Sequence, residues 1–354
     1  MIQPEADNAA DGAPRHAFEG SGSDMAATMR LAPGLALAGA VALLAWSLGH
    51  AMPLLGGAVL AILLGVLLRT AWTPGIAFDP GMRFAGKRVL QASIVLLGFG
   101  LDLGQVARTG LDSFGVAIAT LLLAFVAAWL LGRALRVPVK LAALVGVGTA
   151  ICGGSAIAAV APILRPEEHD TAFAMSTIFL FNLVAVVVFP PLGQLMGMSD
   201  AQFGVWAGTA INDTSSVVAA GYAYSTAAGD HATVVKLARA TLIVPVCLLL
   251  AAGLAWRARR VAGPDAPAVR LGAIFPWFIL WFLVASALRT AGLVPAELQG
   301  WLHAGGGLAM VLALAAIGLS ADLRRMRATG PRPLLLGLGV WATVATGSLA
   351  VQAL

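Results

Sequence analysis

The sequence predicts an all-α membrane protein: about eleven transmembrane helices with the inverted-repeat architecture and discontinuous helices of a secondary transporter. Three observations lead there. Hydrophobic residues fill 59% of 354 positions and charged residues only 11%, whereas a soluble domain carries about 25% charged residues. The apolar residues stand in long blocks, such as 116–131, 178–191 and 242–255, and a hydrocarbon core of about 30 Å needs roughly 20 such residues per helix. Finally, two stretches of the chain are echoed elsewhere within it.

The predicted spans are 31–50, 54–68, 87–103, 113–131, 141–164, 171–192, 203–224, 234–255, 273–291, 303–320 and 334–352. They are too long and too continuously apolar for the alternating ten-residue strands of an outer-membrane barrel. Residues 1–30 are polar and acidic and lack the basic start and apolar stretch of a secretory signal. They are expected to form a disordered cytoplasmic tail before a transmembrane transporter domain at 31–354. Cys152 and Cys247 both fall inside predicted spans, which speaks against a disulfide framework.

Charge orients the bundle. With the amino terminus inside, seventeen of the 22 Lys and Arg residues fall on inner segments, among them Arg69, Lys87, Arg133, Arg136, Lys140, Arg257 and Arg324. Arg108, Arg165, Arg289, Lys236 and Arg239 are the outer exceptions. Positive charge resists translocation, so the expected location is the bacterial inner membrane with a cytoplasmic amino terminus. These cations therefore read as topology signals, and nucleic acid is excluded as a partner.

The first echo pairs 96–110 with 316–330: Gly98, Asp102, Leu103, Thr109 and Gly110 match Gly318, Asp322, Leu323, Thr329 and Gly330. The third span runs outward and the tenth inward, so these copies are expected to be inverted, as in many secondary transporters. The second echo pairs 148–159 with 208–219, with Gly148, Thr149, Ala150, Ile151, Ser155 and Ala159 repeated sixty residues later. Eleven spans make this second pair parallel.

Both members of the second echo place helix-weakening residues at mid-span. Cys152, Gly153, Gly154 and Ser155 lie halfway along the fifth span, and Asn212, Asp213, Thr214 and Ser215 halfway along the seventh. Glycine lowers helix stability by about 1 kcal/mol, and Ser, Thr, Asn and Asp compete for backbone hydrogen bonds. Such clusters predict broken helices, adjacent in the core, whose ends offer amides to anions and carbonyls to cations. Close packing through small residues is the plainer reading. Asp213 is the most informative residue, because a central Asp costs about 2.5–3.5 kcal/mol to insert and needs a polar setting. It is suited to carry a proton, bind a cation or offset a basic neighbour.

Lys236 and Arg239, three apart on one helix face, are expected near the outer end of the eighth span. There they either snorkel to headgroups or line an outward cavity that grips an oxyanion. Asn182 is a weaker candidate for an interhelical hydrogen bond, and His169 and His303 read as loop residues.

These motifs resemble the bacterial YeiH-like sulfate exporter family. The resemblance rests on Gly148–Ala159, on Trp206-x-Gly208-Thr209 followed by Asp213-Thr214-x-x-Val217, on Val235-Lys236-Leu237-x-Arg239 and on Gly318-Leu319-Ser320-x-Asp322-Leu323. It runs from about residue 35 to the carboxyl terminus. It implies a relative of the cation/proton antiporter and bile-acid symporter fold, hence a carrier that exports a small anion. The family's His-Asp-Thr-Ala-Gln reads Asn212-Asp213-Thr214-Ser215-Ser216 here, which removes a titratable group from position 212.

The expected function is secondary active export of a sulfate-like or sulfonate anion, with cation/proton antiport through Asp213 as the alternative. An intramembrane enzyme using Cys152 or Ser155 is a remote one, since no His lies within a predicted core span to activate either. A passive channel or scaffold is a third class. No Gly-x-x-x-x-Gly-Lys-Ser/Thr loop is present, and no cofactor or metal is expected. Expected partners are the anion, a coupling H+ or Na+, and membrane lipid, with homo-oligomerisation left open.

Overall fold

The computed structural model describes residues 20–51, 56–72, 74–259, 277–321 and 331–354, and among these all regular structure is helical. The helices are α1 (Gly20–Ala51), α2 (Gly56–Ala71), α3 (Asp79–Phe84), α4 (Leu90–Gly98), α5 (Leu103–Ala134), α6 (Val139–Ala150), α7 (Gly154–Leu164) and α8 (Glu168–Leu195). They continue as α9 (Asp200–Ala210), α10 (Thr214–Tyr224), α11 (Thr226–Thr241), α12 (Ile243–Arg259), α13 (Phe278–Thr290), α14 (Ala296–Ser320) and α15 (Pro331–Gln352). A π turn at Ala85–Val89 joins α3 to α4, and α12 follows α11 after Leu242 alone.

Among the described residues, six runs are long and apolar enough to cross a membrane: Met29–Gly49, Leu103–Ala134, His169–Leu195, Thr226–Leu250, Glu297–Ser320 and Pro331–Gln352. The predicted spans fall, among the described residues, on a helix or a pair of helices, apart from 99–102 at the end of the third, which form a turn. The first helix starts at Gly20, within the segment assigned to the tail; residues 1–19 lie outside the described residues. So do 322–330, and with them Asp322, Leu323, Thr329 and Gly330 of the first echo.

The fifth and seventh predicted spans are broken where their sequences weaken, at residues 151–153 and 211–213. They do not run on after the break. Lys140, at the start of α6, donates from Nζ to the carbonyl of Arg165, just past the end of α7, at 2.7 Å. In one continuous helix these residues would stand about 37 Å apart. A Cβ built on Gly148 would lie 3.0 Å from Ile157 Cδ1, so the two arms are antiparallel neighbours. The other pair turns back in the same way. The ring of Phe203 stacks on Tyr224 with centroids 4.0 Å apart, and Ser225 Oγ donates to Asp200 Oδ1 at 2.6 Å. Each pair is a helical hairpin with arms of 11 or 12 residues, about 17 Å long and so about half a hydrocarbon core.

Helix α8, with 28 residues and about 42 Å in length, carries the chain from the mouth of the first hairpin to the mouth of the second. The hairpins therefore enter the bundle from opposite ends. α11 packs along both arms of the second hairpin: Cβ atoms built on Gly204 and on Gly221 would both meet Ala232. α15 holds the same hairpin from the other side, through Trp206 Nε1 to the Ala345 carbonyl at 3.0 Å and Thr209 Oγ1 to Ser348 Oγ at 2.7 Å. A second layer, α1, α2, α3, α4 and α14, packs through small residues, Gly65 against Gly318 and Gly34 against Gly81.

Three expectations are corrected here. Two of the eleven predicted spans turn back instead of continuing. Arg165, expected on the outer side, lies at the same end as Lys140. The members of the sixty-residue echo are antiparallel and not parallel, because one long helix, α8, separates two units that each return to their own end.

Candidate functional site at the hairpin tips

The tips meet. Gly153 adopts φ +69° and ψ −130°, a backbone conformation that side chains rarely tolerate. A Cβ built there would come 3.1 Å from Asp213 Cβ and 3.5 Å from Asp213 Cα. Glycine at 153 thus serves both the turn and the contact between the two tips.

Each first arm ends with carbonyls pointing into the core, where no following turn can supply donors. Lys236 and Arg239, both 0% exposed, supply them. Lys236 Nζ donates to Ile151 O at 2.8 Å and Ile211 O at 2.9 Å. Arg239 donates through Nε to Ala150 O and through Nη2 to Thr149 O, both at 2.7 Å, and through Nη1 to Thr209 O. Ile151 and Ile211 are echo equivalents, as are Thr149 and Thr209. Each cation therefore bridges the same position of two repeated tips. Helix carboxyl ends carry roughly half a negative charge, so two cations face two negative helix ends without a carboxylate. Among the described residues, neither cation has an acid within ion-pair distance.

This placement corrects the depth expected for the two cations. α11 starts at Thr226, capped by Ser225 Oγ, which accepts from Ala228 N at 2.9 Å. Lys236 is therefore about 15 Å into its helix and neither snorkels nor faces an outer cavity. The polar stretch Thr226–His231 hid the helix start: Gly229 and Asp230 meet Tyr222 and His231 meets Gly204, so this stretch packs on the second hairpin although Thr226 is exposed.

Asp213 caps α10. Its Oδ1 accepts from Ser216 N at 2.9 Å and from Ser215 Oγ, and its Oδ2 accepts from Ser216 Oγ at 2.7 Å. A carboxylate at a helix amino end is favoured by the dipole and by the unpaired amides there. Ser216 was absent from the expected site residues, although an acid with a Ser three residues later is a readable capping signal. Asn212, next to it, is wholly buried; its backbone N–H reaches Asn182 Oδ1 at 3.1 Å, while its own carboxamide has no partner. Asn182 thus makes the interhelical bond expected of it. Cys152, the echo equivalent of Asn212, is buried beside the two cations. Gly154 is half-buried, Ser155 exposed, and Asp213 and Thr214 half-buried. The starts of α7 and α10 are therefore accessible, whereas the ends of α6 and α9 are sealed by Lys236 and Arg239. His169 and His303, expected in loops, sit in the first turn of α8 and in α14.

Fold and site together define a multi-pass helical membrane protein with paired broken helices. A family model described as Conserved hypothetical protein 698 matches residues 33–337. A UPF0324 membrane protein of Streptococcus pyogenes serotype M18 is 42% identical over 335 residues, covering 93% of this chain and 98% of that protein. Another from Fusobacterium nucleatum is 35% identical over 339 residues, covering 90% and 96%, and one from Clostridium tetani is 37% identical over 308 residues, covering 84% and 89%. The chain belongs to the UPF0324 membrane protein family.

Proposed function

We propose that the protein is a secondary active transporter that exports a small anion, coupled to an H+ or Na+ gradient, across the bacterial inner membrane. The observation that carries this reading is the contact of Gly153 with Asp213 between hairpins entering from opposite ends. Irregular backbone at membrane depth is tolerated where it lines a protein-enclosed site, and helix ends at the midplane are where carriers hold ions. In this reading the two hairpins and their following helices form an inverted repeat about α8, and the chain crosses the membrane nine times. The basic end is cytoplasmic, and Arg165 then joins the inner cations.

The charges at the tips favour an anion. Lys236 and Arg239 offset the negative ends of α6 and α9, and Asp213 caps α10, which leaves the uncapped amino end of α7 as the field that an anion meets. The anion binds at Gly154 and Ser155, where no side chain of Gly153 competes, with Asn212, Thr214 and Ser215 at its edge. Asp213 serves the coupling ion. The resemblance to YeiH-like exporters supplies the sulfate or sulfonate class. Counterflow of sulfate, sulfite, sulfonates and carboxylates in proteoliposomes tests the proposal. Trans-accelerated exchange of one of them is the expected result, and its absence for all would overturn it. The half-exposed carboxylate of Asp213 favours one second reading, cation/proton antiport, in which a pH gradient drives cation movement with no anion present.

A further inference from the structure

Where α5 gives way to the first hairpin, an open groove of about 260 Å³ runs between α5 and α6, lined by Phe125, Trp129, Gly132, Arg133, Val139 and Ala143 among others. Its inner wall is closed by small residues: a Cβ built on Gly132 would meet Ala142 Cβ at 2.7 Å. Its outer rim faces away from the protein, with Trp129 64% and Val139 84% exposed. Arg133, which lines the groove, and Arg136, next in sequence to the lining residue Val137, are both exposed, and neither forms an ion pair among the described residues. Arg136 is held there by a left-handed turn, φ 54°, that ends α5, with Val137 N bonded to Gly132 O at 2.9 Å.

We propose that this groove is a binding site for one anionic phospholipid, its acyl chain lying between α5 and α6 and its phosphate at Arg133 and Arg136. An apolar slot opening on the hydrocarbon, with unpaired cations at the headgroup level and an aromatic side chain on the rim, matches both halves of such a lipid. A zwitterionic lipid fits the slot equally well but gains less from two guanidinium groups, so the headgroup charge sets the preference. The site touches the first arm of a hairpin, so its occupant bears directly on how that hairpin sits against α5. This inference does not depend on the transport reading.

Native mass spectrometry of the full-length protein in mild detergent, titrated with phosphatidylglycerol or phosphatidylcholine of the same chains, tests it. The expected result is a single phosphatidylglycerol adduct forming at a concentration roughly ten-fold or more below that for phosphatidylcholine. Arg133→Gln with Arg136→Gln should abolish the preference, and Ala143→Phe, which fills the slot, should abolish the tight adduct. Brominated phosphatidylglycerol should also quench a Trp129-dependent part of wild-type emission, a readout that needs no charge variant to fold. Equal binding of the two lipids by wild type, or a preference that survives both variants, would overturn the proposal. So would a lipid-free dimer that Ala143→Phe dissociates, which would assign the groove to a second copy of the chain.

Discussion

Lys236 donates to the carbonyl of Ile151 at 2.8 Å, and the same ammonium reaches Ile211, sixty residues on, at 2.9 Å. Together with the three bonds of Arg239, this ties the tips of both hairpins to one face of α11. Neither tip can leave the other while those bonds persist. The tips of the two hairpins and α11 are thereby held together as one unit.

That arrangement makes stability the first casualty of substitution. Arg239→Lys keeps the charge but cannot reach three separated carbonyls, and each buried carbonyl left without a donor costs about 1–3 kcal/mol. The expected loss is roughly 2–4 kcal/mol, read as a melting temperature lower by several degrees in detergent. Lys236→Met should behave likewise. The sequence alone offered an oxyanion-gripping role for these two residues; their carbonyl partners put stability first. A variant of either residue with wild-type melting and impaired transport would restore the direct anion-binding role.

Gly153→Ala should be far more damaging than Gly154→Ala. At 153 the new methyl meets Asp213 Cβ at 3.1 Å and the backbone sits at φ +69°, whereas at 154 it meets only the sulfur of Met175, also at 3.1 Å, the far end of a flexible side chain. Strain of this kind costs of order 1–3 kcal/mol before the tips are pushed apart. Paired melting curves decide it, and equal melting of the two variants would show that the tips do not touch.

Asp213→Asn and Asp213→Ala separate the cap from the charge. Asn can still accept from Ser216 N and should change stability little, while Ala loses the cap at about 1 kcal/mol. Both remove the charge, so both should make transport independent of the coupling gradient. Substrate flux that stays coupled in the Asn variant would move the coupling site elsewhere.

Much of this was legible in the sequence. The Gly153-Gly154-Ser155 and Asn212-Asp213-Thr214 clusters located both breaks to within a residue or two, because glycine and short polar side chains disfavour helix wherever they cluster. The direction the chain takes after each break was not legible. Two antiparallel arms of 11 or 12 residues have the same apolar length as one crossing helix, and only contacts between distant residues, Lys140 with Arg165 or Phe203 with Tyr224, distinguish them. One clue was present: Arg165 broke the charge rule as an outer cation, and the hairpin removes that exception. Depth was misjudged at Lys236 for a related reason, since hydropathy marks lipid contact and the start of α11 touches protein.

Acid stability has an identifiable contributor in the turn between α4 and α5, before the apolar run Leu103–Ala134 begins. Asp102 caps α5, accepting from Gln105 N at 3.1 Å and Gly104 N at 2.9 Å, and takes a further bond from Thr290 Oγ1. These bonds, that to Gln105 foremost, hold its carboxyl below the ordinary value of 3.8. A carboxyl whose folded value is depressed stabilises the fold above its unfolded value, and that contribution is lost as pH falls through the lower folded one. Asp102→Asn should therefore flatten the dependence of melting temperature on pH below about 4. An unchanged acid limb would show that the cap adds nothing.

The central claim is that the hairpins turn back and enter from opposite ends, and sided labelling tests it most directly. Cys152 and Cys247 are replaced by Ala, and single cysteines are placed at Lys140, Arg165, Gln202 and Thr226, all exposed. A membrane-impermeant maleimide is then applied to intact cells and to inverted vesicles. The account predicts that 140 and 165 label together from the cytoplasmic side and that 202 and 226 label together from the outside. Labelling of 140 and 165 from opposite sides would contradict it, and would restore a fifth helix that crosses the membrane.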